Sequence, residues 1–184
     1  CQIARARGAW VIGTVGSEAK REAARAAGAE VVFVSPRYDV WDGIRGVTGG
    51  EGVDVILDAV GGRQLRRAYG SLRSSGRLVS YGFAALMPPR GFRNWPVLLW
   101  RYLRMPRFGP FDMVSRNRTV TGFNLVHLWH RRSLFEHAMR DLLRMAAAGQ
   151  VHPLPTTEVP FERCGEAHEL LQSRRSTGKI VLAV

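Results

Sequence analysis

The feature that most restricts the fold of this chain is an alternation. Short apolar runs recur along it, separated by segments of helical length, and glycine marks most of the junctions. The runs are Trp10–Val15, Glu30–Val34, Val53–Asp58, Gly76–Gly82, Thr119–Asn124 and Gly178–Val184. Trp10–Val15 reads as a strand buried in a parallel sheet, and the other runs read as further strands. The segments between them read as helices: a tail ending at Gly8, then Ser17 to Gly28, Asp39 to Val47, Gln64 to Leu72, Ser133 to Ala148, and a short one ending near Ser173. Ser17 stands as an N-cap with Glu18 in the first turn. Pro153 and Pro155 hold the chain extended before the last helix. Strand–helix alternation of this kind predicts an α/β fold with a parallel sheet covered by helices on both faces.

Ligands of such sheets bind beyond the carboxyl ends of the strands. Here those ends are Gly13 to Ser17, Ser35, Ala59 to Gly62, Tyr81 to Phe83, and Phe123 to Leu125. A glycine there lets backbone approach a ligand closely. It serves an ordinary turn equally well, and spacing alone leaves both uses open.

Composition narrows the function classes. The 184 residues suit one globular domain, and 27 Lys+Arg against 15 Asp+Glu give a formal charge of +12. That balance raises a basic nucleic-acid-binding module as an alternative. Against it, only Lys20 and Lys179 are lysines, and the arginines are scattered rather than blocked. Cys1 and Cys164 form no disulfide framework and match no zinc spacing; Cys164 is expected in the core. His127 and His130 lie three apart, but no Cys, Asp or Glu nearby completes a metal set. No signal peptide or membrane-length apolar run is visible, and a cytoplasmic location is expected. The chain opens inside a helix without an initiator Met, and reads as a fragment whose beginning is missing.

Residues 84–118 interrupt the alternation. They are rich in proline, tryptophan and arginine, and Trp95, Leu98, Leu99, Trp100, Tyr102 and Leu103 recur at helical spacing with arginines between them. Three readings stay open: an amphipathic segment on an anionic membrane surface, a lid over a substrate cleft, and a helical excursion packed against another domain.

Several runs carry a family resemblance: Gly13-Thr14-Val15-Gly16-Ser17-Glu18-Ala19-Lys20, Gly52-Val53-Asp54-Val55-Ile56-Leu57-Asp58-Ala59-Val60-Gly61-Gly62, Gly76-Arg77-Leu78-Val79-Ser80-Tyr81-Gly82, and Gly178-Lys179-Ile180-Val181-Leu182. In this order the chain resembles the medium-chain dehydrogenase/reductase superfamily. Within it, the chain is similar to the zinc-independent quinone oxidoreductase branch and to its vesicle amine transport protein-like subgroup. The resemblance implies a Rossmann-like doubly wound parallel sheet truncated at its N-terminus, lacking the first strand and its Gly-rich loop. It implies a partial dinucleotide-binding domain over 1–160 with the insert at 84–118, and a segment 161–184 returning toward a catalytic barrel domain that this chain does not contain. Strands left without a neighbour would make such a fragment poorly stable or prone to associate.

The activity implied is hydride transfer from NADPH to a quinone or enone, with the nicotinamide supplying the chemistry. Lys20 is expected to pair the 2′-phosphate of NADPH, with Ser17 hydrogen-bonding the same group beside Gly16. NAD sites place Asp or Glu at this strand end for the ribose 2′-OH, and Gly13-Thr14-Val15-Gly16 carries none. Ser35 is assigned to the adenosine end, with Arg37 as an accessory. Val60, Gly61 and Gly62 are expected under the cofactor, and Tyr81, Gly82 and Phe83 beside the nicotinamide. Phe123, Asn124 and Leu125 are expected to meet the carboxamide through backbone groups. No catalytic side chain and no metal ligand is assigned, and Asp58 is read as a local cap of backbone N–H groups rather than an acid catalyst. The expected partners are a small quinone or enone and a second copy of the chain, dimerising near Thr119 to Leu125. A non-catalytic Rossmann interaction domain is the remaining alternative.

Overall fold

The computed structural model describes residues 1–35, 39–84, 95–173 and 175–184. In chain order the elements are α1 (Gln2–Ala6), β1 (Ile12–Val15), a 3₁₀ turn (Glu18–Lys20), α2 (Arg21–Ala26), β2 (Val31–Val34), α3 (Val40–Val47), β3 (Val53–Asp58), α4 (Gln64–Gly70) and β4 (Leu72–Ser80). Then follow α5 (Trp95–Leu103), α6 (Pro110–Arg116), β5 (Thr119–Gly122), a 3₁₀ turn (Leu125–Leu128), α7 (Arg132–Ala147), β6 (Thr156–Pro160), a 3₁₀ turn (Phe161–Arg163), α8 (Cys164–Gln172) and β7 (Lys179–Ala183). Every strand pairing is parallel, in the ladders β1–β2, β3–β4–β5 and β6–β7. The expected α/β class with Rossmann-like parallel strands is therefore observed.

The chain divides into two compact units, residues 1–40 with 132–184, and residues 41–131. The first holds a small core of Val11, Ala29 and Val32, flanked by Ala4, Val15 and Ala24. Its α2 is shorter than the sequence suggests. The turn Glu18–Lys20 is 3₁₀, Ser17 is extended at φ −155°, and the Ser17 side chain makes no capping bond. The capping bond expected of the Ser17 side chain is thus not formed.

The same unit ends in a βαβ motif; its helix and last strand match the sequence expectation, while its first strand was expected only as extended chain. Pro153 and Pro155 bar helix, and the β-prone residues after them pair with the last strand from Thr156↔Lys179 to Pro160↔Ala183. Helix α8 makes the crossover. Cys164 begins that helix and is exposed, so the expected core position is wrong: at the first position of α8 its side chain has no packed layer to enter.

The second unit is organised on α4. Leu65, Ala68, Tyr69, Leu72 and Leu78 are buried together, with Trp41, Val53, Ile56, Met105, Phe108, Met113 and Val120 packed against them. Burial of a leucine such as Leu78, which is 0% exposed, contributes about 1.5–3 kcal/mol. Tyr69 adds a polar brace. Its ring lies 5.0 Å from that of Phe108, its hydroxyl donates to the Asp112 carbonyl at 3.4 Å, and Arg118 donates to its carbonyl at 2.9 Å. Among the described residues of this unit, the packed face of β3 is the one that carries Ile56. Ile56 packs inward while Val55 and Leu57 are 55% and 66% exposed. The expected cover of helices on both faces is corrected accordingly for β3: within this unit, the described helices lie on the Ile56 side.

Strand β4 starts four residues before the expected Gly76. Leu72 pairs with Val53, but the next partners are Val55 and Arg77, so β4 advances five residues while β3 advances two. The bulge carries Ser75 at φ 66°. Sequence reading took the chain after the bulge as the whole strand. The segment 84–118, which showed no clean period, contains two helices, α5 and α6, with Pro110 starting the second. The part of this segment over 85–94 lies outside the described residues, as does Arg37.

Candidate functional site

Four of the expected cofactor residues belong to the first unit. β1 delivers the chain to Gly16 and Ser17, both exposed, and the 3₁₀ turn brings Lys20 to a half-buried position. Ser35 follows β2, is exposed, and donates its N–H to the Val15 carbonyl at 2.8 Å. That bond ties the end of β2 to the end of β1, so Ser35 and Gly16 follow neighbouring strand ends. The Lys20 ammonium forms no salt bridge among the described residues.

The carboxylate of this turn is engaged. Arg21 grips Glu18 through Nε to one oxygen and through Nη2 to the other at 3.2 Å. Its third nitrogen donates to the Val32 carbonyl on β2 at 2.9 Å. Sequence reading passed over Arg21; the Glu-x-x-Arg spacing, one helical turn apart, was its available signal. The donor set left on offer is a hydroxyl and an ammonium, which suits a phosphate better than a ribose diol. Because α2 has only six residues and follows a 3₁₀ turn, side chains rather than a helix terminus define this anion-facing surface.

The nine remaining residues belong to the second unit, where three parallel strands end side by side. After β3, Asp58 is buried, and its Oδ1 accepts the Gly61 N–H at 2.5 Å. This is the local cap expected of Asp58. Gly61 and Gly62 follow at φ 69° and 73°, a left-handed pair that residues with a Cβ enter only with strain. After β4, Tyr81 donates its N–H to the Asp58 carbonyl at 2.9 Å and Ala84 donates to the Ala59 carbonyl at 3.2 Å. After β5, Phe123 donates to the Ser80 carbonyl at 2.9 Å. Asn124 accepts the Val126 N–H at 3.1 Å and so caps the 3₁₀ turn that contains Leu125. That leaves the Asn124 side chain with a structural task.

Glycine has a use here that spacing could not reveal. A Cβ on Gly82 would stand 2.5 Å from the Ala59 carbonyl oxygen, and one on Gly61 would stand 3.2 Å from the Gly82 carbonyl. The turns after β3 and β4 interlock through these two residues. Around them Val60, Tyr81, Phe83, Phe123 and Leu125 are each about half exposed, an apolar rim with planar side chains on which a flat ring can lie. Ser80 Oγ is buried without a hydrogen-bond partner beside this rim.

No group of three or more His, Cys, Asp or Glu placed to hold a metal ion occurs among the described residues. His137 meets Asp141 at 3.5 Å, a surface pair on α7. Among the described residues no helix is long and apolar enough to cross a membrane.

Residues 1–146 match the family model described as zinc-binding dehydrogenase. A 2-haloacrylate reductase of a Burkholderia species is 30% identical over 179 residues, covering 97% of this chain and 49% of that protein. A synaptic vesicle membrane protein VAT-1 homolog of Danio rerio is 29% identical over 132 residues, 72% of this chain and 27% of that protein. The crystal structure of Escherichia coli quinone oxidoreductase complexed with NADPH has a TM-score of 0.77 at 26% identity, covering all of this chain and 52% of that one. The chain spans about half the length, or less, of these relatives.

Proposed function

This chain belongs to the zinc-binding dehydrogenase family of medium-chain dehydrogenase/reductases, and from that premise we propose that it is the cofactor-binding part of an NADPH-dependent oxidoreductase that reduces a quinone or enone by hydride transfer. The observation that carries the cofactor assignment is the turn after β1. Lys20 has no carboxylate partner there, Ser17 is exposed, and Glu18 is held by Arg21. Gly16, Ser17, Lys20 and Ser35 take the adenosine end, and Lys20 with Ser17 binds the 2′-phosphate. Val60, Gly61 and Gly62 lie under the cofactor. Tyr81, Gly82 and Phe83 flank the nicotinamide, and Phe123, Asn124 and Leu125 hold its carboxamide through backbone groups. Support comes from the NADPH complex of the E. coli relative and from the reductase activity named for the Burkholderia relative. When bound, the cofactor supplies the hydride; these residues orient it and keep water from its reactive face.

The test is Lys20→Ala. Loss of one charge-assisted contact is expected to weaken NADPH binding by about 1–3 kcal/mol and leave NADH nearly unchanged. Equal weakening of both cofactors removes the 2′-phosphate role. The same reading includes a cytoplasmic location and a homodimer formed along the free edge of β5 near Thr119 to Leu125. A monomer throughout a micromolar concentration series in sedimentation velocity removes the dimer.

A further inference from the structure

We propose that Arg21 sets the choice between NADPH and NADH by keeping the Glu18 carboxylate neutralised and away from the ribose 2′ position. The inference rests on the cofactor reading above and adds a residue that contacts no cofactor atom in that reading. Glu18 lies one residue after Ser17 and two before Lys20, inside the turn assigned to the 2′-phosphate. It is the carboxylate nearest that group in sequence. The next one, Glu22, faces Arg25 at 3.8 Å instead.

Arg21 uses a two-pronged grip. Nε and Nη2 take both oxygens of Glu18, and Nη1 is fixed to the Val32 carbonyl at 2.9 Å. Three anchor points leave the guanidinium little freedom to turn toward a ligand. The strand carbonyl also fixes where the pair sits, so Glu18 cannot swing forward without leaving Arg21. A planar fork matched to a carboxylate is the geometry in which Arg, and not Lys, holds a partner firmly.

Two consequences follow from releasing Glu18. A bare carboxylate beside a phosphate dianion repels it, which disfavours NADPH. The same carboxylate accepts a hydrogen bond from a free ribose 2′-OH, which is the usual device for selecting NADH. Both effects move the preference in one direction. Arg21 is therefore a positioning residue that acts through Glu18, and this turn holds a latent NADH-type acid under guard.

The experiment measures dissociation constants for NADPH and NADH by nicotinamide fluorescence in wild type, Arg21→Gln, Glu18→Gln and the double variant. Wild type is expected to prefer NADPH. Arg21→Gln should lower the NADPH-over-NADH ratio roughly threefold to tenfold, the scale of one unpaired charge at a protein surface. Adding Glu18→Gln to it should restore the ratio, because no carboxylate remains to unmask. Arg21→Lys, which keeps the cation and loses the fork, should shift the ratio the same way by less, and it serves if Arg21→Gln does not fold. An unchanged ratio in both Arg21 variants overturns the inference. So does a lowered ratio that Glu18→Gln fails to restore, since that outcome makes Arg21 a direct phosphate ligand. Wild type without a preference for NADPH overturns the cofactor assignment itself, and is told apart from the other failures because it precedes any substitution.

Discussion

Gly82→Ala is expected to lower stability through a collision that the backbone cannot avoid. The added methyl would sit 2.5 Å from the Ala59 carbonyl oxygen and 3.1 Å from the Ala59 carbonyl carbon. Ordinary contact needs about 3.5 Å, so the two turns must part by about 1 Å. The obstacle is main chain, so no rotamer change relieves it. The Ala59 carbonyl also accepts the Ala84 N–H at 3.2 Å, and parting the turns loosens that bond. Overpacking of this kind costs about 1–3 kcal/mol, and a weakened hydrogen bond adds about 1 kcal/mol. Together they give about 2–4 kcal/mol, a fall in melting temperature of roughly 4–16 °C for a chain of this size. The assay is urea unfolding followed by tryptophan fluorescence and far-UV circular dichroism, with Gly122→Ala as the reference. Gly122 has no atom within 4 Å of an added Cβ, so that substitution should cause no loss. If Gly82→Ala unfolds within about 0.5 kcal/mol of Gly122→Ala, the interlocking of the two turns does not hold.

Two other outcomes are expected. Burial, and secondly its hydrogen bond to Asp112, raise the Tyr69 hydroxyl above its ordinary range; the folded state thus favours the protonated phenol, so this contribution is complete below about pH 10 and fades as the pH rises beyond it. Tyr69→Phe should cost about 1 kcal/mol or less at neutral pH and flatten the alkaline limb of the stability profile, and an unchanged limb refutes the assignment. On α5, Trp95, Leu99, Tyr102 and Leu103 form an i, i+4, i+7, i+8 stripe that is exposed throughout, and Arg104 stacks 3.9 Å over Trp100 beside it. This stripe should bind phosphatidylserine vesicles more than neutral ones, with Arg104→Gln and Arg107→Gln together reducing the difference; equal binding to both lipids removes the membrane reading of the segment.

Much of the architecture was legible because it depends on local chemistry. A short run rich in β-branched residues reads as a strand wherever it occurs, and β3 begins and ends where that run places it, at Val53 and Asp58. The placing of Ser17 and Lys20 just after a strand end was legible, since they follow Val15 at the end of β1 by a short count. Asp58 was legible because an acid three residues before a Gly-Gly pair has amides within reach. The missing Ser17 capping bond was not legible, since residue type alone does not fix where the hydroxyl points.

What only the tertiary structure decided concerns contacts between segments distant in sequence. The bulge in β4 follows from pairing with β3, because Leu72 and Arg77 must meet Val53 and Val55 across the ladder. The strand Thr156–Pro160 exists because β7 supplies its partner. Gly82 looks like any turn glycine until the Ala59 carbonyl is found 2.5 Å from its missing Cβ. Arg21 looks like a surface charge until its third nitrogen meets the Val32 carbonyl on β2. The sequence by itself determined the strand–helix alternation and the placing of residues at strand ends, since both arise from periodicity and turn propensity within a few residues. Tertiary structure alone decided which of those residues hold the turns together and which remain open to a ligand, since that depends on distances across the sheet that no local pattern encodes.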